Sequence, residues 1–263
     1  MTPELNVITS RANLRVKQLR AAFAGHARLS SGLIAIEGEH LLLEALRSGK
    51  LLKTVFVSER REVPSFVPGS VEVLRLANDV FGSCVETQTP QGIAAMLLPP
   101  VGTVEEMLRG VPLILIAVGL QDPGNLGTLL RSAEAFGATG VLLTPGTVSA
   151  WNGKTIRASA GSVFRVPVAL ATPGVMEVLE QQGVRLLAAM KEDAPSMEEV
   201  IMTGPIAIMI GNEGAGLDAG WLAMAEERLT IPCPGEVESL NAAVSGSLLL
   251  YEASRQRRRA SAS

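Results

Sequence analysis

The chain has 263 residues, 47% hydrophobic and 19% charged, a composition that excludes a disordered polypeptide and leaves apolar material for two domains. Its net charge of −3 gives no global sign of a polyanion-binding protein, and two distant cysteines, Cys84 and Cys233, exclude a disulfide framework and a Cys-rich zinc site. No metal is expected. The N-terminal MTPELNVITSRANLRVKQ has no apolar signal core, and no apolar run reaches the ~18 residues of a membrane span. A cytoplasmic protein without a membrane partner is the expectation.

Charge is unevenly spread. Up to Arg28 the only acid is Glu4, against Arg11, Arg15, Lys17, Arg20 and Arg28, and a second basic cluster follows at Arg255, Arg257, Arg258 and Arg259. Arg11, Arg15, Lys17 and Arg28 are the candidate RNA contacts, since such patches match a phosphate backbone; a solvated helix face and a frayed tail would look the same. From Leu33 the pattern predicts strand (LIAIEG), helix (EHLLLEALRSG), strand (KTVFVS), VEVLRLA and a closing GIAAMLLP, a compact α/β module over residues 1–100. The breakers Pro99, Pro100 and Gly102 place a linker at 101–110.

Residues 111–263 form a second domain with regular alternation. Strand LILIAVGL leads to a helix from Asn125, strand GVLLTP, the Gly- and Ser-bearing NGKTIRASAGSVFRVPV, and helix PGVMEVLEQQG. Strand VRLLAAM, helix MEEVI, strand PIAIMIG, helix AGWLAMAEE, strand RLTIPC and a terminal helix, SLNAAVSGSLLLYEASRQR, complete it. The strands are continuous apolar runs, which indicates a parallel sheet covered on both faces, with ligands at the carboxyl ends of its strands.

Three loops at those ends carry unusual polar residues. In NLGTLLRSAEAFG, Asn125 reads as a helix N-cap; Arg131, six residues on, lies roughly 9 Å further along the axis and on another face, so one straight helix does not bring the two together. GNEGAGL, from Gly211, lacks the GxGxxG order of a dinucleotide site, and Glu213 within it opposes a phosphate while suiting a polar ligand or a cation. In IPCPGEVESLN, Ser239 is the expected N-cap of the last helix, and Asn241 has little reason to sit in a first turn unless its amide bonds a loop or a ligand. Cys233 has no histidine nearby to activate it.

Together the three stretches resemble the motifs of the SpoU, or TrmH, class of SPOUT methyltransferases: NLGTLLRSAEAFG the first, IMIGNEGAGL the second and IPCPGEVESLNAAVSGSLLLYE the third. ITSRANLRVKQL, LIAIEGEHLLLEAL and TPQGIAAML are similar to the RNA-binding domain that precedes the catalytic domain in many members. The resemblance implies a parallel-sheet domain with a deep trefoil knot, homodimers, and methyl transfer from S-adenosyl-L-methionine to a ribose 2′-hydroxyl, more in rRNA than in tRNA. It implies Asn125, Arg131, Glu213, Ser239 and Asn241 as active-site polar residues, and Gly211, Ile231 and Leu240 as cofactor-lining positions. Departures are Cys233, where methionine is frequent, and Ala242 and Ala243, where Val-Ser often follows the asparagine.

The resemblance also implies Arg131 as the base. A guanidinium stays protonated in proteins, so Arg131 is read as a cation that binds the adjacent phosphate and stabilises the developing alkoxide, leaving proton removal without a residue. A non-catalytic RNA-binding or assembly protein on the same fold is the alternative reading. A dinucleotide-dependent oxidoreductase is disfavoured by the missing fingerprint.

Overall fold

A computed structural model describes residues 6–24 and 32–262, so Arg28 lies outside the described residues. The chain divides into two compact units, Met1–Pro100 with Trp151–Phe164, and Val101–Ala150 with Arg165–Ser263.

The first unit holds β1 (Val7–Ile8), α1 (Leu14–Phe23), β2 (Ile34–Glu37), α2 (Glu39–Arg47), β3 (Leu52–Ser58), β4 (Glu72–Leu76), α3 (Asn78–Gly82) and β5 (Ile93–Leu97). Its sheet runs β1-β4-β3-β5-β2, parallel from β1 to β3, with β5 antiparallel to both of its neighbours. Val16 and Leu19 of α1 pack on Phe56, Leu76, Phe81 and Ala94, and Asn13 caps the helix through the backbone N–H of Arg15.

From Val101 the chain forms α4 (Val104–Met107), β6 (Leu113–Ala117), α5 (Pro123–Ala135), β7 (Gly140–Leu143), α6 (Gly153–Ala158), β8 (Val168–Leu170), α7 (Pro173–Gln181), β9 (Arg185–Met190), β10 (Ile206–Ile210), α8 (Ala219–Met224), β11 (Glu227–Thr230) and α9 (Ala242–Ala262). The second sheet, β11-β9-β10-β6-β7-β8, is parallel throughout, and every residue of β6, β7 and β10 is buried, which is why these strands read as unbroken apolar runs.

Four details differ from the sequence expectation. Residues 101–110 are not extended chain: Thr103 and Glu106 form a reciprocal capping box, α4 follows, and Met107 is fully buried. MEEVI is not helical; the N–H of Met197 donates to the Thr230 carbonyl at 2.8 Å and that of Thr230 to Pro195 at 2.8 Å, so the segment prolongs the edge beside β11. Five residues cannot repay helix nucleation when a strand partner is available. NGKTIRASAGSVFRVPV holds α6, a short 3-10 turn and the three-residue β8, too brief for any period to reveal. The last helix starts at Ala242, not at Ser239.

Helix α9 lies against α5 and β10. The approach is close because of Gly246, where a Cβ would come within 2.3 Å of Leu129 Cδ2. The Ser132 and Ser247 hydroxyls are hydrogen-bonded at 2.6 Å. At its other end Arg257 donates to four backbone carbonyls, those of Val111 (2.9 Å), Pro112 (2.8 Å), Met202 (3.1 Å) and Gly204 (2.7 Å). Burial lowers the pKa of this guanidinium, which has only neutral partners there. Arg255 binds Glu252, and Arg258 lies 6.0 Å over the Tyr251 ring. The C-terminal cluster is therefore neither a frayed tail nor a row of free cations: its arginines work largely within the fold.

Glu252 is buried and accepts from Arg255 at 2.6 and 2.7 Å and from Gln256 at 2.9 Å, and the Arg255 bonds hold its pKa below the ordinary carboxylate value. A depressed folded-state pKa contributes stability above the unfolded value, about 4.3, and loses it as pH falls through the folded value. The urea midpoint should therefore drop on acidification below about pH 4.3, and Glu252→Gln should flatten that drop while lowering stability at pH 7. Denaturation curves at a series of pH values test this.

Candidate active site

Helix α5 starts two residues earlier than the sequence suggested, and Asn125 is not its cap. Asp122 takes that role, accepting from the N–H groups of Gly124 and Asn125 at 2.5 and 3.2 Å, with Pro123 at the first helical position. Asn125 sits inside the first turn, its side chain free for other partners.

Those partners come from the other two loops. Asn241 Nδ2 donates to Asn125 Oδ1 at 3.0 Å, and Asn125 Nδ2 donates to Glu213 Oε1 at 2.8 Å. Asn241, rather than Ser239, caps α9: its Oδ1 accepts from the N–H groups of Ala243 (2.9 Å) and Val244 (3.3 Å). Helix N–H groups can only donate, so the capping atom of Asn241 must be its oxygen. Its NH₂ then faces Asn125, Asn125 must present its oxygen there, and the Asn125 NH₂ is left to meet the carboxylate. Every polarity in the row thus follows from the free N–H groups of one helix.

The loop carrying Glu213 is built by a residue the motif reading passed over. Asn212 Oδ1 accepts from Gly214 N (2.9 Å) and Ala215 N (3.3 Å), its Nδ2 donates to the Gly119 carbonyl at 2.9 Å, and its backbone pairs with Gly216 in both directions. An Asn that begins a Gly-rich turn is the signal that could have found it. The loop doubles back so closely that a Cβ on Gly211 would lie 2.2 Å from the Gly216 carbonyl carbon, so glycine is demanded there by the turn itself. Thr144, also unanticipated, accepts from Gly119 N at 3.0 Å beside β6.

Of the remaining expected residues, Ile231 and Leu240 are half-buried and Ser239 is exposed. From Pro232 to Leu240, beyond the end of β11, the backbone makes no hydrogen bond among the described residues, which leaves its carbonyls and remaining N–H groups open to a ligand. Arg131 is exposed, has no hydrogen-bond partner among the described residues and is not joined to the Asn125 row; six residues turn a helix through about 600°, leaving them about 120° apart. In the first unit Arg11 pairs with Asp79 at 3.3 Å and Arg15 with Glu72 at 2.6 Å, while Lys17 is exposed without a partner among the described residues.

Asn241 has two separable duties. Asn241→Ala should cost about 1 kcal/mol for the lost cap, whereas Asn241→Asp keeps the cap at nearly full stability but cannot donate to Asn125. Thermal melts should rank the aspartate variant close to the parent, and amide exchange at Gly214 and Ala215 should speed up in it, because the row that ends on Glu213 is broken.

The SpoU rRNA Methylase family matches residues 112–251, and the MRM3-like substrate binding domain matches residues 13–95. The 23S rRNA (guanosine(2553)-2′-O)-methyltransferase RlmP of Bacillus subtilis is 36% identical over 93% of this chain and 97% of its own length. The mitochondrial rRNA methyltransferase 3 of Homo sapiens is 30% identical over 90% of this chain and 74% of its own. The SpoU methyltransferase AviRb of Streptomyces viridochromogenes, solved in complex with the cofactor AdoMet, superposes with a TM-score of 0.85 at 27% identity, covering 94% of this chain and 98% of that one. With its three loop motifs, its parallel second sheet and a match spanning residues 112–251, the chain belongs to the SpoU rRNA methylase family.

Proposed function

We propose that the chain methylates a ribose 2′-hydroxyl of rRNA with S-adenosyl-L-methionine as donor, residues 1–100 binding the RNA and residues 111–263 carrying the chemistry in a cytoplasmic setting. The observation that carries the reading is the row from Asn241 through Asn125 to Glu213, which joins all three loops at one end of a parallel sheet. The rRNA-modifying relatives favour rRNA over tRNA. A trefoil knot belongs to the proposal: β11 ends at one edge of the sheet, yet α9 returns to lie on β10 and α5.

The residues present suit the donor. Free backbone groups from Pro232 to Leu240, with the half-buried side chains of Ile231 and Leu240 and the tight turn at Gly211, offer a mostly main-chain cradle. When bound, S-adenosyl-L-methionine supplies a methyl carbon activated by a positively charged sulfur. Glu213 is the one carboxylate in the row, and its Oε2 has no partner among the described residues. As the 2′-oxygen is alkylated its proton becomes strongly acidic, and Oε2 of Glu213 takes it. Asn125 holds the carboxylate in place, Asn241 orients Asn125, Ser239 lies two residues before Asn241 in the same loop, and Arg131 remains a cation that grips phosphate.

Two copies pair through α5 and α9 in this reading. Val244 and Tyr251 are 47% and 44% exposed on α9, and Thr128 and Arg131 are exposed on α5. Arg131 then sits on the pairing face rather than beside its own Asn125. Sedimentation should give a dimer at micromolar concentration; a fully active monomer would count against it.

Glu213→Gln should lower single-turnover methylation by about 10²–10⁴-fold with donor affinity unchanged. Arg131→Lys should keep part of the activity without moving the pH profile. A downward shift of that profile in the lysine variant would instead make position 131 the base, and binding of RNA without any methylation by the parent would favour the non-catalytic alternative.

A further inference from the structure

The first unit contains a groove of about 480 Å³ that the methyl-transfer reading does not use. It lies at the end of the sheet where the interior strands β3 and β4 begin and the antiparallel β5 ends, alongside α1. Its apolar lining is half-buried Leu33 and 52% exposed Leu98 over Met96, which is 2% exposed and belongs to the core beneath. Its rim is polar: Arg15 on the helix, Lys53 on β3 and Glu72 on β4.

The carboxylate is held before any ligand arrives. Arg15 Nη2 donates to Glu72 Oε1 at 2.6 Å and Thr54 Oγ1 donates to Glu72 Oε2 at 2.9 Å. A carboxylate has about four acceptor positions, so one remains on each oxygen, and the side chain is still 41% exposed. Lys53 is exposed and has no partner among the described residues. The site therefore offers an apolar patch at Leu33 and Leu98, a pair of fixed adjacent acceptors and an uncommitted cation.

We infer that this groove binds a single unpaired nucleotide of the RNA, its base on Leu33 and Leu98 and its phosphate on Lys53. The inference rests on the reading of the chain as an RNA-modifying enzyme. The volume is that of a small-molecule site, roughly 300–1,000 Å³, and an RNA base becomes readable on its pairing edge when it is splayed from a helix. An acidic peptide has an anion for Lys53 but nothing that benefits from Glu72. Guanine has: N1–H and the N2 amino group are adjacent donors on one edge, matching the two free acceptor positions, whereas uracil presents one donor between two acceptors. Glu72 is thus the specificity-determining residue, and guanine the favoured base.

The experiment uses the full chain with ¹³C-methyl methionine, the Met96 signal being assigned with Met96→Leu. Probes are GMP, AMP, CMP and UMP, single-stranded RNA hexamers of each composition, and an acidic hexapeptide. GMP and guanine-bearing RNA should move the Met96 methyl and bind at least about fivefold tighter than the uracil counterparts. Lys53→Ala should weaken every RNA and reduce the log-log salt slope by about 0.7. Glu72→Gln should abolish the guanine preference while keeping RNA binding, the other methionine signals reporting an intact fold. S-adenosyl-L-methionine affinity, by calorimetry, should stay at the parent value in both variants. A Met96 signal unmoved at RNA saturation, a guanine preference that survives Glu72→Gln, or a Met96 response to the acidic peptide and not to RNA would each overturn the assignment. If the parent chain bound no S-adenosyl-L-methionine, the methyl-transfer reading would fall, and the Met96 titration would still decide the groove by itself.

Discussion

One amide organises the candidate site. Asn241 caps α9 with its oxygen, and because a helix start offers only donors, that choice orients Asn125 and through it the carboxylate of Glu213. Side-chain amides can ordinarily rotate to suit whatever approaches. Here a single rotation would set two donors against a row of helix N–H groups at one end or an amide oxygen against a carboxylate at the other, so the row resists it. Secondary structure thus supplies the direction of a polar network that three separate loops must share.

The same helix is fixed at its far end. Arg257 spreads its donors over carbonyls at the starts of β6 and β10, while Gly246 lets the middle of α9 lie directly on Leu129 of α5. Between its two ends α9 therefore crosses from one end of the central strands to the other, and its axial position is set by groups that have no part in the chemistry. A guanidinium suits this task better than an ammonium because its planar fork reaches several carbonyls at once.

Much of this was legible in the chain. Apolar runs such as LILIAVGL and PIAIMIG located the buried parallel strands, the first overrunning β6 by three residues, since full burial on both faces leaves no alternation to misread. The failures have a common cause in choices between near-equivalent local partners. Ser239 and Asn241 are both good caps, and only the packed position of α9 selects the second; Asp122 outcompetes Asn125 in the same way because Pro123 suits the position after it. MEEVI has helical composition but finds an edge partner, and Arg257 reads as a surface charge although it is enclosed by carbonyls. Asn212 was passed over because its bonds are to backbone, and their one trace in the sequence is an Asn opening a Gly-rich turn.

The position of these contacts along the chain has a bearing on how the protein is made. Asn241 and Arg257 follow every strand of both sheets in sequence order, so translation produces the sheet and the first two loops before the residues that orient them exist. Chains generally fold as they emerge, N-terminal parts first. A nascent chain can therefore own a nearly complete core and still lack any ordered Asn125 side chain, and competence arrives late, in one event, when α9 seats.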